Sequence, residues 1–170
     1  CGIAGLTAQY VQEIEGTKAI LLDSRKTTPG LRMLEKYAVT CGGGRSHRLG
    51  LDNGIMLKDN HIAVAGGIRA AVERAKAYAP MLTKIEVECD RLDQVDEALA
   101  AGVDVIMLDN MSNDDMREAV KIVGGRIPLE CSGGVRLDTI RGKAETGVDY
   151  VSVGRITQSA TCVDIGLDDV

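Results

Sequence analysis

Three blocks hold most of the residues whose types suggest chemistry. Residues 23–30 read D-S-R-K-T-T-P-G, residues 42–48 read G-G-G-R-S-H-R, and residues 57–61 read L-K-D-N-H. Between positions 20 and 61 lie Arg25, Lys26, Arg32, Lys36, Arg45, Arg48 and Lys58, with both histidines, His47 and His61. The chain as a whole is acidic, with formal charge −5. Cations gathered inside an acidic protein suit a polyanionic ligand, because guanidinium and ammonium groups pair with phosphate and carboxylate oxygens. The competing reading is a solvated basic face. Arg25 and Lys26 follow one apolar run and Lys58 another, so these cations end buried strands and point at a cleft.

The elements that must hold them are legible as periodicity. Ile3, Leu6, Tyr10 and Ile14 recur at helical spacing, and Gly16 ends that helix. Strands are expected over 19–23, 54–57, 84–88, 104–109, 127–130 and 150–153. Helices are expected over 31–39, 68–78, 92–101 and 137–146, with another capped by Ser112 and its partner Asp115. Two stretches echo each other: A-G-V-D-V-I-M-L-D (101–109) and T-G-V-D-Y-V-S-V-G (146–154). Strands alternating with helices imply a parallel sheet of βαβ units. Roughly equal repeats and apolar strands favour a barrel over an open doubly wound sheet. The expected fold is therefore an α/β, TIM-like barrel, incomplete at about six parallel strands, with outer helices and one helix before it.

Parallel barrels carry their sites at the C-terminal ends of the strands. Those ends supply Asp23, Arg25 and Lys26; Lys58, Asp59, Asn60 and His61; Glu88 and Asp90; Asp109 and Asn110; Ser132, Gly133 and Gly134; and Ser152, Gly154 and Arg155. The glycines after the last two strands suit backbone N–H groups approaching a phosphate at a helix N-terminus. Glu88 and Asp109 suit a divalent cation such as Mg²⁺, sugar hydroxyls, or a structural salt bridge to Lys58 or Arg25. His47, between two arginines in a polar loop, suits a donor to an anion. His61 suits a helix cap or packing at least as well as chemistry. Lys58 is a Schiff-base candidate by position, but neighbouring carboxylates favour a charged, anion-binding lysine.

Composition narrows the classes. The 170 residues make about one domain. There is no apolar run of about 18 residues, hence no expected membrane span, and no signal peptide is visible. A sequence pI near 5.1 and an aromatic content of four tyrosines argue against nucleic-acid binding. Five scattered cysteines without metal spacing fit reduced thiols in a cytosolic protein, and Cys89 and Cys131 read as small buried residues. The first residue is Cys1, already within a helical pattern, so the chain reads as a piece of a longer protein.

The order and spacing of D-S-R-K-T-T-P-G-L-R, K-Y-A-V-x-x-G-G-G, H-R-L-G-L, K-D-N-H, E-V-E, L-D-N, S-G-G and D-Y-V-S-V-G resemble the quinolinate phosphoribosyltransferase family. The similarity covers essentially the whole chain. It implies a C-terminal barrel domain, residues 1–170, with the family's N-terminal domain absent. It implies phosphoribosyl transfer from phosphoribosyl pyrophosphate to quinolinate, with decarboxylation, giving nicotinate mononucleotide, pyrophosphate and carbon dioxide in NAD biosynthesis. The implied setting is cytoplasmic, as a homodimer or higher assembly, with no nucleic acid or membrane partner. By motif, Arg25, Lys26, His47, Arg48 and Lys58 resemble the residues that hold quinolinate and pyrophosphate. Lys26, Lys58, Glu88 and Asp109 resemble catalytic positions, with Glu88 and Asp109 near the ribose and Mg²⁺. Ser132, Gly133, Gly134 and Gly154 resemble the 5′-phosphate site.

Some positions depart from the family pattern: Ser24 for a threonine, Met111 for an aromatic, Gln158 for a histidine, and Arg155 for a small residue. In the family a partner's N-terminal domain supplies an arginine to the site, so the isolated chain is expected to turn over weakly or not at all. The alternatives are a paralogous pyrophosphorylase acting on another acid, an inactive phosphosugar-binding fragment, and a phosphate-binding aldolase or isomerase.

Overall fold

The computed structural model describes residues 1–167. In chain order the elements are α1 (Gly2–Glu13), β1 (Ile20–Leu22), α2 (Arg32–Cys41), β2 (Ile55–Leu57), α3 (Asp59–Ala65), α4 (Ile68–Tyr78), β3 (Ile85–Cys89), α5 (Leu92–Ala101), β4 (Val105–Asp109), α6 (Asn113–Val123), β5 (Leu129–Ser132), α7 (Ile140–Ala144), β6 (Tyr150–Ser152) and α8 (Arg155–Gln158). The strands form one parallel sheet in the order β1-β6-β5-β4-β3-β2. Its two end strands, β1 and β2, are not paired with each other. This is a barrel order with one seam open, the incomplete barrel that the repeat pattern implies.

The outward faces of the strands are apolar. Val87, Ile106, Leu108, Leu129, Cys131 and Val151 are buried in one core with Val72 of α4, Val95 of α5, Met116 of α6 and Ile140 of α7. Burying each such side chain contributes roughly 1.5–3 kcal/mol. The inward face is different. The register puts Glu86 beside Met56, Met107 beside both Glu88 and Glu130, and Asp109 beside Ser132. Alternate positions of a strand share a face. Where many parallel barrels fill their interior with branched apolar residues, this interior is acidic and polar, so the site extends down into it.

The echoed units have a mechanical role. Asp104 Oδ2 accepts the Ile85 N–H at 2.8 Å, and its own N–H donates to the Ile85 carbonyl at 2.9 Å. Asp149 does the same to Leu129, with 2.9 Å for both bonds. Each aspartate clamps the first residue of a neighbouring strand and fixes its register. Gly102 and Gly124 close α5 and α6 in the left-handed conformation, where a side chain would be strained.

Some boundaries differ from expectation. β5 runs from Leu129 to Ser132, not 127–130. Pro128 has no N–H for the ladder, and its carbonyl accepts from Ile106 just before the strand begins. The helix expected over 137–146 is only Ile140–Ala144. A turn precedes it, in which Thr139 Oγ1 accepts the Arg136 N–H at 3.0 Å. Two helices were not anticipated, α3 and the single turn α8. α3 starts directly after Lys58, with His61 Nδ1 accepting the Lys58 N–H at 3.0 Å. His61 is thus a helix cap. No helix of the described residues is long and apolar enough to cross a membrane.

Candidate active site

A cavity of about 700 Å³ opens at the C-terminal ends of the strands. Of the seven cations between positions 20 and 61, Arg25, Lys26, Arg48 and Lys58 line it. Arg32 instead ties its own loop, through Thr27 Oγ1 at 2.9 Å and the Leu49 and Arg25 carbonyls at 3.4 Å. Lys36 is buried in an ion pair with Asp23 at 2.5 Å. Arg45 is exposed and does not line the cavity. Asp59, Asn60, His61 and Asp90, at expected strand ends, also lie outside it. Asp59, Asn60 and His61 belong to the first turn of α3, and Asp90 follows the last residue of β3.

The segment 44–48 lies along the open seam. The Arg45 N–H donates to the Leu21 carbonyl at 2.9 Å, and the Asp23 N–H donates to the Arg45 carbonyl at 3.1 Å. That parallel bridge attaches the segment to β1. On the other side, Arg48 Nη1 donates to the Gly54 carbonyl at 3.2 Å, just before β2. Gly42 and Gly44 let the start of the segment pack closely on α1 and α2. A Cβ on Gly42 would sit 2.6 Å from Thr7 Cβ, and one on Gly44 would sit 2.8 Å from Val39 Cγ1. Asp23 then fastens the segment by accepting the His47 N–H at 2.8 Å and the Ser46 hydroxyl at 3.3 Å.

His47 is held from below. Its Nε2 lies 3.2 Å from Glu86 Oε2 and 3.1 Å from Glu130 Oε2, and its side chain is 15% exposed. Burial works against a charged ring, yet the hydrogen bonds and charges of Glu130 and Glu86 outweigh it and raise His47 to about 10. The Arg48 N–H lies 2.7 Å from Nδ1, a contact that suits a neutral ring. Two ionic hydrogen bonds outweigh one neutral contact, so the ring is taken as charged. Burial raises Glu130, opposed by the His47 hydrogen bond. Burial lowers Arg48, and the neighbouring Arg25 guanidinium lowers it further. An anion placed between these two arginines would relieve that repulsion.

On β3 and β4, Glu88 Oε2 is paired with Lys58 Nζ, and Asp109 Oδ2 accepts Asn110 Nδ2 at 2.6 Å. The salt bridge foreseen as one role for Glu88 is therefore present. Each carboxylate keeps its second oxygen free of protein hydrogen bonds among the described residues. Two hard oxygen donors lining one cavity are of the kind that suits Mg²⁺, which takes few carboxylates and completes its shell with water and phosphate oxygens. Just after β5, Gly133 and Gly134 have φ of +88° and +61°. A Cβ on Gly133 would sit 2.8 Å from Asn110 N, and one on Gly154 would sit 3.0 Å from Lys26 Cδ. No helix starts directly after Gly134, because α7 begins at Ile140. The expected helix N-terminus is replaced there by the turn's own N–H groups. Gln158, Arg136 and Arg155 also line the cavity.

The cavity thus gathers Arg25, Lys26, His47, Arg48, Lys58, Glu88, Asp109, Ser132, Gly133, Gly134 and Gly154 at one mouth. Glu86 and Glu130 were missed as site residues. Their signal was a glutamate at every second position of an apolar strand, in I-E-V-E-C and again in L-E-C. Cys89 and Cys131 are fully buried, and burial pushes their thiols up to about 12 and about 11. They are inert as nucleophiles.

Fold and cavity define the class: an incomplete α/β barrel with a cavity mouth lined by four cations. The family model described as "Quinolinate phosphoribosyl transferase, C-terminal domain" matches residues 3–168, and the chain belongs to that family. It is 47% identical over 167 residues to the "Probable nicotinate-nucleotide pyrophosphorylase [carboxylating]" of Bacillus subtilis, covering 98% of this chain and 58% of that protein. The crystal structure of NadC from Streptococcus pyogenes superposes with a TM-score of 0.92 at 48% identity, covering 96% of this chain and 57% of that one. The nicotinate-nucleotide pyrophosphorylase of Ehrlichia chaffeensis superposes with a TM-score of 0.94 at 49% identity, covering 99% and 61%. The chain therefore spans about three fifths of the length of these relatives.

Proposed function

We propose that this chain is the catalytic barrel of an enzyme that transfers phosphoribose from phosphoribosyl pyrophosphate to quinolinate. The products are nicotinate mononucleotide, pyrophosphate and carbon dioxide, in cytoplasmic NAD biosynthesis. The observation that carries the reading is one cavity that gathers four cations, Arg25, Lys26, Arg48 and Lys58, with the glycine turns at Gly133, Gly134 and Gly154. A dicarboxylate and a pyrophosphate together need such a set of cations, and a ribose 5′-phosphate suits the turns.

In this reading Arg25, His47 and Arg48 hold the two substrate carboxylates and orient the pyridine nitrogen toward C1 of the ribose. Lys26 and Lys58 draw charge from the departing pyrophosphate. Ser132, Gly133, Gly134 and Gly154 seat the 5′-phosphate and so fix C1 relative to the nitrogen. Glu88 and Asp109 are the residues that would hold Mg²⁺ and the ribose hydroxyls. An ion held there would supply charge neutralisation to the departing pyrophosphate. As pyrophosphate leaves, positive charge on the sugar ring is faced by the same two carboxylates. The nitrogen's lone pair forms the new C–N bond, and the C–O bond to pyrophosphate breaks. The adjacent ring carbon then loses carbon dioxide, and the pyridinium nitrogen stabilises the electron pair left there until a proton replaces it. No covalent nucleophile is needed. Lys58 is ion-paired to Glu88 and nearly half exposed, unlike an imine-forming lysine, which is desolvated.

The reading includes a dimer whose partner covers the cavity mouth. It is supported by α2, which leaves Met33, Leu34 and Tyr37 about two-thirds exposed. The direct test is quinolinate-dependent release of pyrophosphate and carbon dioxide from phosphoribosyl pyrophosphate by the natural gene product containing this chain. Turnover of nicotinate but not quinolinate would overturn the reading. Sedimentation equilibrium tests the dimer, and a monomer active at all concentrations would refute it.

A further inference from the structure

Glu86 and Glu130 are buried charged groups that the proposed chemistry does not use. Glu130 is 1% exposed and Glu86 is 7% exposed, and Oε1 of each lacks a hydrogen-bond partner among the described residues. Burying two carboxylates this way is costly unless a cation or a network repays it. The cation in contact with both is His47. The three groups are close enough to ligate a metal ion, but Nε2 stands at hydrogen-bond distance from one oxygen of each carboxylate, and a proton satisfies that geometry. From above, Asp23 fixes the His47 backbone N–H at 2.8 Å, with Asp23 itself held by buried Lys36. Ring and backbone are thus pinned independently. The Arg48 N–H meets the other ring nitrogen, Nδ1, at 2.7 Å, so the pinned ring also bears on the backbone that carries the Arg48 guanidinium.

We infer that Glu86 and Glu130 are positioning residues: they clamp the His47 ring by Nε2 and so hold the ring, and Arg48 against it, in place for a carboxylate of the substrate. The inference rests on the dicarboxylate reading above and adds a specificity device to it. The clamp belongs to the acid substrate alone. The phosphoribosyl donor is held elsewhere, by the glycine turns and by Lys26 and Lys58.

The groups facing His47 are Glu86 from β3, Glu130 from β5, Asp23 and Lys36 at its backbone, and the cations Arg25 and Arg48. The test uses the natural gene product and the variants Glu130→Gln, Glu86→Gln, His47→Gln and the double variant Glu130→Gln/His47→Gln. His47 is followed by imidazole proton NMR, with His61 as the one other histidine signal from this chain. The wild-type ring should stay protonated beyond pH 8, and Glu130→Gln should move its midpoint down by at least about one unit. Glu130→Gln should raise KM for quinolinate about tenfold and leave KM for phosphoribosyl pyrophosphate within about twofold. The double variant should be no worse than His47→Gln alone, because both changes remove one arrangement. Should Glu130→Gln not fold, Glu86→Gln and the wild-type titration decide. A wild-type ring titrating near its ordinary value, or KM rising equally for both substrates, or additive losses, would each overturn the clamp. Absence of quinolinate turnover in the wild type would strike the proposed function instead, and the titration would still judge the clamp.

Discussion

Asn110 has the sole positive φ outside glycine among the described residues, +54°. Such a conformation costs about 1 kcal/mol or more for most side chains, and less for asparagine. Here the cost is offset locally. Asn110 Nδ2 holds Asp109 at 2.6 Å, its N–H donates to the Ser132 carbonyl at 3.0 Å, and its amide packs where a Gly133 side chain would stand. One residue therefore ties the acid on β4 to the glycine turn after β5. Gly133→Ala should destabilise the fold by ~1–3 kcal/mol through strain and overlap. Asn110→Gly should relax the overlap in that background, so that the pair loses less than the sum of its parts. Urea unfolding of the two single variants and the pair checks this, and strict additivity would argue against the coupling. Part of this corner was legible in the sequence, since L-D-N and S-G-G mark strand ends. The contact between them was not, because β4 and β5 meet only through a register that no local pattern encodes.

The helix-to-strand units are held by aspartate clamps more than by surface ion pairs. Asp149 illustrates the difference, since it both accepts the Leu129 N–H and pairs with exposed Lys18 at 2.9 Å. Removing the clamp leaves a buried N–H unsatisfied, a cost of ~1–3 kcal/mol. Removing an exposed pair costs ~0–1 kcal/mol. Asp149→Ala should therefore lower stability well beyond Lys18→Ala, and Asp149→Asn should fall between, as thermal unfolding will show. Equal effects of the alanine variants would refute the ranking. The echo of G-V-D was readable as a repeat because helix end, glycine and aspartate are contiguous in sequence. The short helices were less readable: α3 and α8 are too brief for a periodic pattern, and α7 is cut to five residues by the turn that Thr139 stabilises. The inner glutamates escaped notice because a strand that is polar inside and apolar outside looks like any half-buried strand.

At the scale of the molecule, charge is layered, with an anionic floor under a cationic rim. The floor makes stability depend on pH. Folded His47 keeps its proton to about 10, while the unfolded ring releases it near 6.5. Below about 6.5 both states hold the proton and the stabilisation is whole. As pH rises toward 10 only the unfolded state gives it up, so stability falls, by at most ~1.4 kcal/mol per pH unit. Glu130, raised by burial, acts in the same direction at lower pH. The clean window is about pH 6.5 to 8, before unfolded thiols ionise while Cys89 and Cys131 do not. Urea midpoints should decline across it, His47→Gln should flatten the decline, and a flat wild-type profile would contradict the charge assignment. The open seam has a different consequence. A hoop closed by hydrogen bonds all round shares any opening among its staves, whereas a hoop with one gap loosens there first. Amide exchange should be slowest in β4 and β5 and fastest at β1, β2 and the 44–48 segment. The cations that grip the ligand then sit on the part of the wall that can yield, and binding an anion there would act as the missing rivet.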